Sequence, residues 1–274
     1  MSVTLSAAIV AYDTPSAVLA RTLESLASSI IQARAAGVLD EAQVYLIDNS
    51  EGGGHTGALE AASAWPASAG RMELLRGHGN VGYARANNLV LDRLRSDAHL
   101  VMNPDVEVAP DAIAAAVRAL EAHPEVGLIA PAAFDEHGER QYLCKRYPSA
   151  WVLFLRGFAP KTLRRVFRDA LDAYEMRDVI GDRLVTGVPL ASGCFMLLRT
   201  RHFAALGGFD PRFFLYFEDY DLSVRLSRAA QIAYVPDVRI VHHGGEASRK
   251  GLRHIAMFAS SARRFFSRHG WRVR

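Results

Sequence analysis

The sequence predicts an α/β fold built on a parallel, doubly wound sheet. Two observations carry that expectation. Short apolar runs alternate with stretches of helical periodicity over the first hundred residues, and the runs at 5–11, 44–47 and 99–102 stop at polar turns holding Asp13, Asp48 and Asp105. Such alternation favours parallel sheets, whose ligand-binding loops gather at the carboxyl ends of the strands.

Taken in order, Leu5–Ala11 reads as a buried first strand ended by Asp13, Thr14 and Pro15, and Val18, Leu19, Leu23, Leu26 and Ile30 then recur at helical spacing. Val44–Ile47 is a second strand, closed by Asp48-Asn49-Ser50 and the Gly-rich stretch 51–57. Met72–Leu75 is a third strand, Ala84–Leu94 a helix, and His99–Met102 a fourth strand running into Asn103-Pro104-Asp105. Pro110 and Asp111 open an Ala-rich helix to Ala122, followed by a strand at Val126–Ala130. The pattern then loosens to a strand at 191–198, helices at 200–206 and 218–229, and short strands at 232–235 and 239–242. No internal repeat or low-complexity linker divides the chain, so the expectation is one mixed α/β domain, 1–274, with an appended C-terminal helix.

Composition bounds the function class. The chain has 274 residues, half of them hydrophobic and 22% charged, enough for a well-formed core. Its pI is 9.0, but the cations cluster in the middle and after Glu246, where Arg249, Lys250, Arg253, Arg263, Arg264, Arg268, Arg272 and Arg274 follow without an acid. No nucleic-acid motif accompanies them, so nucleic-acid binding is disfavoured. Cys144 and Cys194 lack metal or disulfide spacing, which predicts reduced thiols in a cytosolic protein. The N-terminus lacks a charged leader, and no apolar run approaches the about 20 residues needed to span a bilayer, so any membrane contact is expected to be peripheral.

Chemistry concentrates where an acidic cluster follows aromatics. Glu218, Asp219 and Asp221 come directly after Phe213-Phe214-Leu215-Tyr216-Phe217. Desolvated carboxylates need a cleft, a cation or a basic partner. A carboxylate opening a helix suits a general base, although an acid there also complements the helix macrodipole. Glu218 and Asp221 should share a face, one of them within reach of Arg225. Asp105, in a tight turn after a strand, suits either an ordinary turn or a divalent cation that bridges a diphosphate. His242 precedes Gly244-Gly245 and could complete that shell or merely occupy a surface turn, with Ser248, Arg249 and Lys250 beyond for phosphate oxygens. The loop from Asn80 through Gly82 to Asn88 fits neither GxGxxG nor a P-loop, which argues against a dehydrogenase or a P-loop NTPase.

Together, Ala11-Tyr12-Asp13, Asp48-Asn49-Ser50, Asn80-x-Gly82-Tyr83-Ala84-x-Ala86-Asn87, Asn103-Pro104-Asp105, Gly193-Cys194-Phe195-Met196, Gly207-Gly208-Phe209-Asp210, Phe217-Glu218-Asp219-x-Asp221 and His242-x-Gly244-Gly245 resemble family 2 glycosyltransferases, most of all their bacterial rhamnosyltransferase branch. The resemblance spans about residues 5 to 250. It implies a GT-A fold, a Rossmann-like nucleotide-sugar-binding mixed sheet flanked by helices, with 1–105 the donor half, 106–250 the acceptor and catalytic half, and 251–274 a basic amphipathic tail. It further implies inverting transfer of a sugar, L-rhamnose from dTDP-L-rhamnose, to a cell-surface polysaccharide such as O-antigen or to a lipid-linked saccharide.

By the same resemblance, Tyr12, Asp13, Asp48, Asn80, Gly82, Arg85, Asn103, Asp105 and Arg249 bind the donor, with Asp48 and Tyr12 at the base and ribose. Asp105 and His242 hold Mg²⁺ or Mn²⁺, with Asn103 standing where many relatives carry an Asp ligand. Asp219 is the base, aided by Glu218, and Gly193, Glu218 and Asp221 meet the acceptor. The alternatives are a UDP-hexose donor, a sugar nucleotidyltransferase, which would want a Gly-rich basic loop after the first strand, or a non-catalytic sugar-binding relative.

Two stretches mix aromatics with cations: Trp151–Phe158 followed by Lys161, Arg164, Arg165 and Arg168, and the tail with Phe258, Phe265, Phe266 and Trp271. Each suits an interfacial helix on an anionic membrane surface, or a helix docking its aromatics on the core.

Overall fold

In a computed structural model, the structure describes residues 3–51, 56–244 and 252–272. The first half follows the predicted alternation: β1 (Val3–Ala11), α1 (Ser16–Ala35), β2 (Leu39–Asp48), α2 (Thr56–Ser63), β3 (Arg71–Leu75), α3 (Tyr83–Asn88), β4 (Ala98–Met102), β5 (Val106–Val108) and α4 (Ala112–Ala122). The second half holds β6 (Val126–Phe134), β7 (Arg140–Gln141), β8 (Cys144–Lys145), α5 (Ala150–Phe158), α6 (Lys161–Val166), α7 (Arg168–Tyr174), β9 (Val185–Thr186), β10 (Leu190–Ala191), β11 (Phe195–Arg199), α8 (Thr200–Ala205), α9 (Glu218–Leu226), β12 (Gln231–His242) and α10 (Leu252–His269).

Among the described residues, one sheet runs β3-β2-β1-β4-β11-β6-β12-β5, with β7 beside β6 and β9 beside β12. β1 to β4 are mutually parallel, as expected. β11 enters antiparallel between β4 and β6, which makes the sheet mixed and brings the start of β11 alongside the end of β4, Phe195 opposite Met102. That reversal places Cys194 against Asn103, whose N–H donates to the Cys194 carbonyl at 2.9 Å.

Residue alternation explains the layers. Leu5, Ala7, Ile9 and Ala11 of β1 pack with Leu19, Leu23, Leu26 and Ile30 of α1, whereas Ala8 and Val10 face a second core with Phe203, Phe209 and Leu222. A third cluster lies outside the sheet, where Phe265 and Phe266 of α10 meet Leu153, Tyr174, Phe213 and Phe217.

Several boundaries differ from the sequence expectation. The predicted helix 84–94 stops at Asn88, followed by a 3-10 turn at Leu91–Arg93. The strand predicted over 191–198 is two strands, β10 and β11, interrupted at Ser192-Gly193-Cys194. The two strands predicted at 232–242 are one, β12, whose pairing with β6 shifts register between Val235 and Arg239, around Pro236. Of the two readings of the tail, docking is visible: α10 turns Phe265 and Phe266 into the third core, and Phe258 packs 5.1 Å from Phe217, while Ile255 and Trp271 stay exposed. No helix among the described residues is long and apolar enough to cross a membrane.

Candidate active site

The acidic pair is aimed by strained backbone. Tyr216 and Phe217 both adopt left-handed conformations, φ 70° and 65°, immediately before α9. Each costs roughly 1–2 kcal/mol for an L-residue, and such outliers persist where the surroundings over-determine them. Here Phe217 is buried among Phe258, Phe265 and Tyr220. The turn delivers Glu218 and Asp219 as the first residues of α9.

Asp219 is held by backbone. Its Oδ2 accepts from the Gly193 N–H at 2.9 Å and its Oδ1 from the Tyr220 N–H at 2.8 Å. A Cβ on Gly193 would stand 3.2 Å from the Asp219 Cβ, so the residue that cradles the carboxylate is held to glycine by that contact. The Tyr83 hydroxyl props the same turn by donating to the Gly193 carbonyl at 2.9 Å. Gly193, expected on the acceptor side, thus serves the carboxylate directly.

Burial raises both acids of the pair. The neighbouring Asp219 charge lifts Glu218 further, whereas backbone N–H groups and the Arg156 cation pull Asp219 back. Glu218 is buried, and its Oε2 has no hydrogen-bond partner. Of the two, Glu218 is pushed up further, so it is the one that favours its proton and Asp219 the one that favours the charge.

Asp221 is a correction. Predicted to meet an acceptor, it is 0% exposed, with Oδ2 2.7 Å from Arg225 Nε and Oδ1 2.8 Å from His269 Nε2 and 3.2 Å from Arg268 Nη1. The expected Asp221–Arg225 contact exists, but the carboxylate is consumed in fastening α10 to α9. Asp210 joins this anchor through Arg212 and Arg268, and the Arg212 hydrogen bonds hold its carboxyl well below the usual range.

Across the Ser192-Gly193-Cys194 turn lie Asp105 and His242. Both Asp105 and Asp219 are close enough to Cys194 for their charges to bear on its thiol, which burial pushes up to about 12. His242 Nε2 lies 3.8 Å from Asp105 Oδ1, a buried oxygen with no hydrogen-bond partner among the described residues. Gln141 fixes the imidazole: its Nε2 donates to the His242 carbonyl at 2.9 Å, so its Oε1, 3.0 Å from Nδ1, accepts the Nδ1 proton. That leaves the Nε2 lone pair facing Asp105, and burial lowers the pKa of His242, keeping it neutral. A Cβ on Gly244 would fall 2.5 Å from Asp105 Oδ2 and 2.7 Å from His242 Nε2, so glycine keeps this space open.

An unpartnered carboxylate oxygen, an oriented neutral imidazole and an open cradle fit a hard divalent cation that takes its remaining ligands from phosphate and water. Among the described residues no group of three or more His, Cys, Asp or Glu could hold a metal without such help.

Of the residues expected to bind the donor, Tyr12, Asp13 and Asp48 sit at the ends of β1 and β2. Asp48 is buried, and its Oδ1 accepts from the Ser50 N–H at 3.2 Å. Ser50 Oγ in turn accepts from the N–H of Asp13, itself at φ 47°, and Tyr12 is exposed. Asn80 laces two loops, its Oδ1 accepting from Asn49 Nδ2 at 3.1 Å and the Gly82 N–H at 3.2 Å. Gly82 is required for a different reason than expected: a Cβ there would meet the Phe214 carbonyl at 2.6 Å, so its close approach is to protein. Arg85 is exposed and donates to the Pro211 carbonyl at 2.9 Å. Asn103 is half-buried beside Asp105, and Arg249 lies outside the described residues.

Three contributors escaped sequence reasoning: Gln141, Tyr83 and the Arg268–His269 anchor. Tyr83 alone had a signal, since it stands inside a quoted motif. The conspicuous Asn88 and Gly207-Gly208-Phe209 instead form a clamp, with Asn88 Nδ2 donating to the Phe209 carbonyl at 2.7 Å and its Oδ1 accepting the Phe209 N–H at 2.9 Å. A cavity of about 890 Å³, lined in part by Glu107, Phe134, Arg140 and Arg239, contains none of the predicted site residues.

Comparison with known proteins bears on the family and the fold. Residues 6–203 match the profile described as Glycosyl transferase family 2. Over 245 residues the chain is 30% identical to N-acetylglucosaminyl-diphospho-decaprenol L-rhamnosyltransferase of Mycobacterium tuberculosis, covering 83% of this chain and 76% of that protein. It is 40% identical over 65 residues to rhamnosyltransferase WbbL of Escherichia coli K12, covering 23% of this chain and 25% of the relative. Among solved structures, GalNAc-T7 with UDP, GalNAc and Mn²⁺ superposes with TM-score 0.66 at 16% identity, over 97% of this chain and about half (48%) of that one. Mannosyltransferase PcManGT from Pyrobaculum calidifontis, in complex with GDP-Man and Mn²⁺, gives 0.61 at 16% identity, over 96% of this chain and 65% of that one.

Proposed function

The chain belongs to glycosyl transferase family 2, and from that premise we propose that it moves L-rhamnose from dTDP-L-rhamnose, with inversion, to a lipid-diphosphate-linked saccharide. The observation that supports this reading is the Asp219 carboxylate, fixed by the Gly193 N–H of the Ser192–Cys194 turn, with the Asp105–His242 pair near Cys194 of the same turn.

In the proposed reaction an acceptor hydroxyl donates its hydrogen bond to Asp219. As its oxygen forms the bond to the anomeric carbon, the proton passes to Asp219 and the bond to the departing diphosphate breaks. Protonated Glu218 leaves Asp219 the only negative charge of the pair, so the base stays basic without a second anion beside the incoming oxygen. Tyr12 and Asp48 bound the nucleotide end. Asp105 and His242 would hold Mg²⁺ or Mn²⁺, which when bound neutralises charge on the leaving diphosphate.

The test is calorimetric binding of dTDP-rhamnose, UDP-galactose, UDP-glucose and GDP-mannose with Mg²⁺ or Mn²⁺ and then with chelator, repeated for Asp105→Ala. The expected result is preference for dTDP-rhamnose that chelator weakens in wild type and leaves unaltered in Asp105→Ala. Preference for a UDP-sugar replaces the donor assignment, and affinity indifferent to cation in wild type removes Asp105 and His242 from a metal role.

A further inference from the structure

The acceptor wall carries a cation that the reaction as described does not use. Arg156 lies in the last turn of α5, and beside it lie Lys145 of β8, Tyr174 and Glu175 at the end of α7, and Tyr220 of α9, next in sequence to Asp219. The Tyr174 and Tyr220 hydroxyls are 2.7 Å apart, and Lys145 Nζ lies 5.5 Å from the centre of the Tyr174 ring. The Arg156 charge bears on Tyr174, Glu175, Tyr220 and Asp219.

Charge is unevenly matched here. Glu175 is occupied by Lys145 at 3.2 Å and by Arg177 at 2.7 Å. Three other arginines of this wall have carboxylates, Arg146 with Asp178, Arg168 with Asp172, and Arg177 with both Asp172 and Glu175, whereas Arg164 and Arg165 of α6 have none among the described residues and stand apart from the tyrosine pair. Among the described residues Arg156 has no carboxylate within salt-bridge distance, although its side chain is accessible. A guanidinium at a helix C-terminus gains from the macrodipole, but that needs no tyrosine pair and no second cation nearby. A planar fork with phenolic donors and unspent positive charge suits a phosphate. Phe154, 44% exposed two positions earlier and stacked on Trp151 at 5.6 Å, supplies apolar surface next to it.

We propose that Arg156 and the Tyr174–Tyr220 hydroxyl pair form an anion subsite that takes the diphosphate of an amphipathic sugar diphosphate while its sugar hydroxyl faces Asp219. This rests on the reading of Asp219 as the acceptor-side base, and it adds what part of the acceptor is recognised. The subsite is distinct from the donor cradle at Asp105 and His242, so both diphosphates are accommodated together.

The test uses the full chain with its donor site filled by saturating dTDP and Mg²⁺, and titrates geranyl diphosphate by calorimetry. Arg156→Gln should weaken geranyl diphosphate at least tenfold, Arg156→Lys less, and Tyr220→Phe by about threefold, while dTDP affinity stays within twofold in all three. Equal geranyl diphosphate affinity in wild type and Arg156→Gln, or no binding by wild type, overturns the subsite. A second arm measures sedimentation with phosphatidylglycerol vesicles. Arg156→Gln should leave it unchanged, and loss of vesicle binding with geranyl diphosphate binding intact assigns the arginine to a membrane headgroup and overturns the proposal. Arg156-dependent geranyl diphosphate binding without any rhamnosyl transfer defeats the functional reading and leaves the subsite standing. Transfer with Arg156-independent geranyl diphosphate binding does the reverse.

Discussion

Asp219→Asn isolates the proton-accepting role of the base. The amide is isosteric, and its oxygen can still accept from the Gly193 N–H that now meets Oδ2 at 2.9 Å, but its NH2 takes the place of Oδ1 and gives up the bond from the Tyr220 N–H. What disappears is the basic oxygen. General-base catalysis by a positioned side chain contributes about 10²–10⁴-fold, or about 2.7–5.4 kcal/mol of barrier, and the transfer rate should fall by that factor with donor affinity unchanged. Stability should change little. Burial raises the folded-state pKa of Asp219 above its unfolded value, so above the unfolded value the ionised form favours unfolding, and this penalty is fully developed once pH exceeds the folded value. The neutral amide removes that penalty, which offsets the lost Tyr220 N–H bond, and the variant should melt close to wild type at neutral pH. Single-turnover transfer, calorimetric donor binding and thermal melting together decide the matter. Turnover within threefold of wild type refutes the base assignment. A large fall in melting temperature alongside lost turnover shows instead that the carboxylate was holding the fold.

The proton sharing within the pair should be visible in the pH profile. Transfer by wild type should fall as pH drops through an inflection above the ordinary carboxylate range, because Asp219 is raised by burial, and Glu218→Gln should change that inflection by altering its titrating neighbour; an unshifted profile separates the two acids. Gln141→Leu removes the acceptor that orients His242 and should weaken Mn²⁺-supported donor binding about 10–100-fold while leaving cation-free binding unaltered, as calorimetry with and without chelator reads. Asp221→Ala leaves Arg225, Arg268 and His269 without their shared carboxylate and should cost about 3–5 kcal/mol in urea unfolding; a loss below 1 kcal/mol means the anchor between α9 and α10 lies elsewhere.

Much of the donor half is legible from sequence because hydrophobic period and turn chemistry coincide there. β1, β2 and β4 are apolar runs stopped by Asp13, Asp48 and Asn103-Pro104-Asp105, and the chain reverses where those residues say it should. The second half is less legible because its elements are short. β7 to β10 have two residues each, too few to show a period, and β11 is recognisable only as an apolar run whose antiparallel direction no local signal encodes. Among the candidate residues, sequence located the acids but could not rank their surroundings. Asp219 and Asp221 are two positions apart on one helix, yet one meets the Gly193 turn and the other disappears under α10, a distinction made by Arg268 and His269 nearly fifty residues later. Gly82 and Asn80 read as ligand contacts because protein-to-protein close approach leaves the same trace as protein-to-ligand approach.

The wall formed by α5, α6 and α7 is stitched by side-chain ion pairs and short helices, whereas the donor residues ride on strands paired through the middle of a sheet. Surface pairs of that kind contribute little each, so the wall should open by sub-global fluctuation well before β1, β2 and β4 release their amides. Amide exchange would then resolve two protection tiers in one chain.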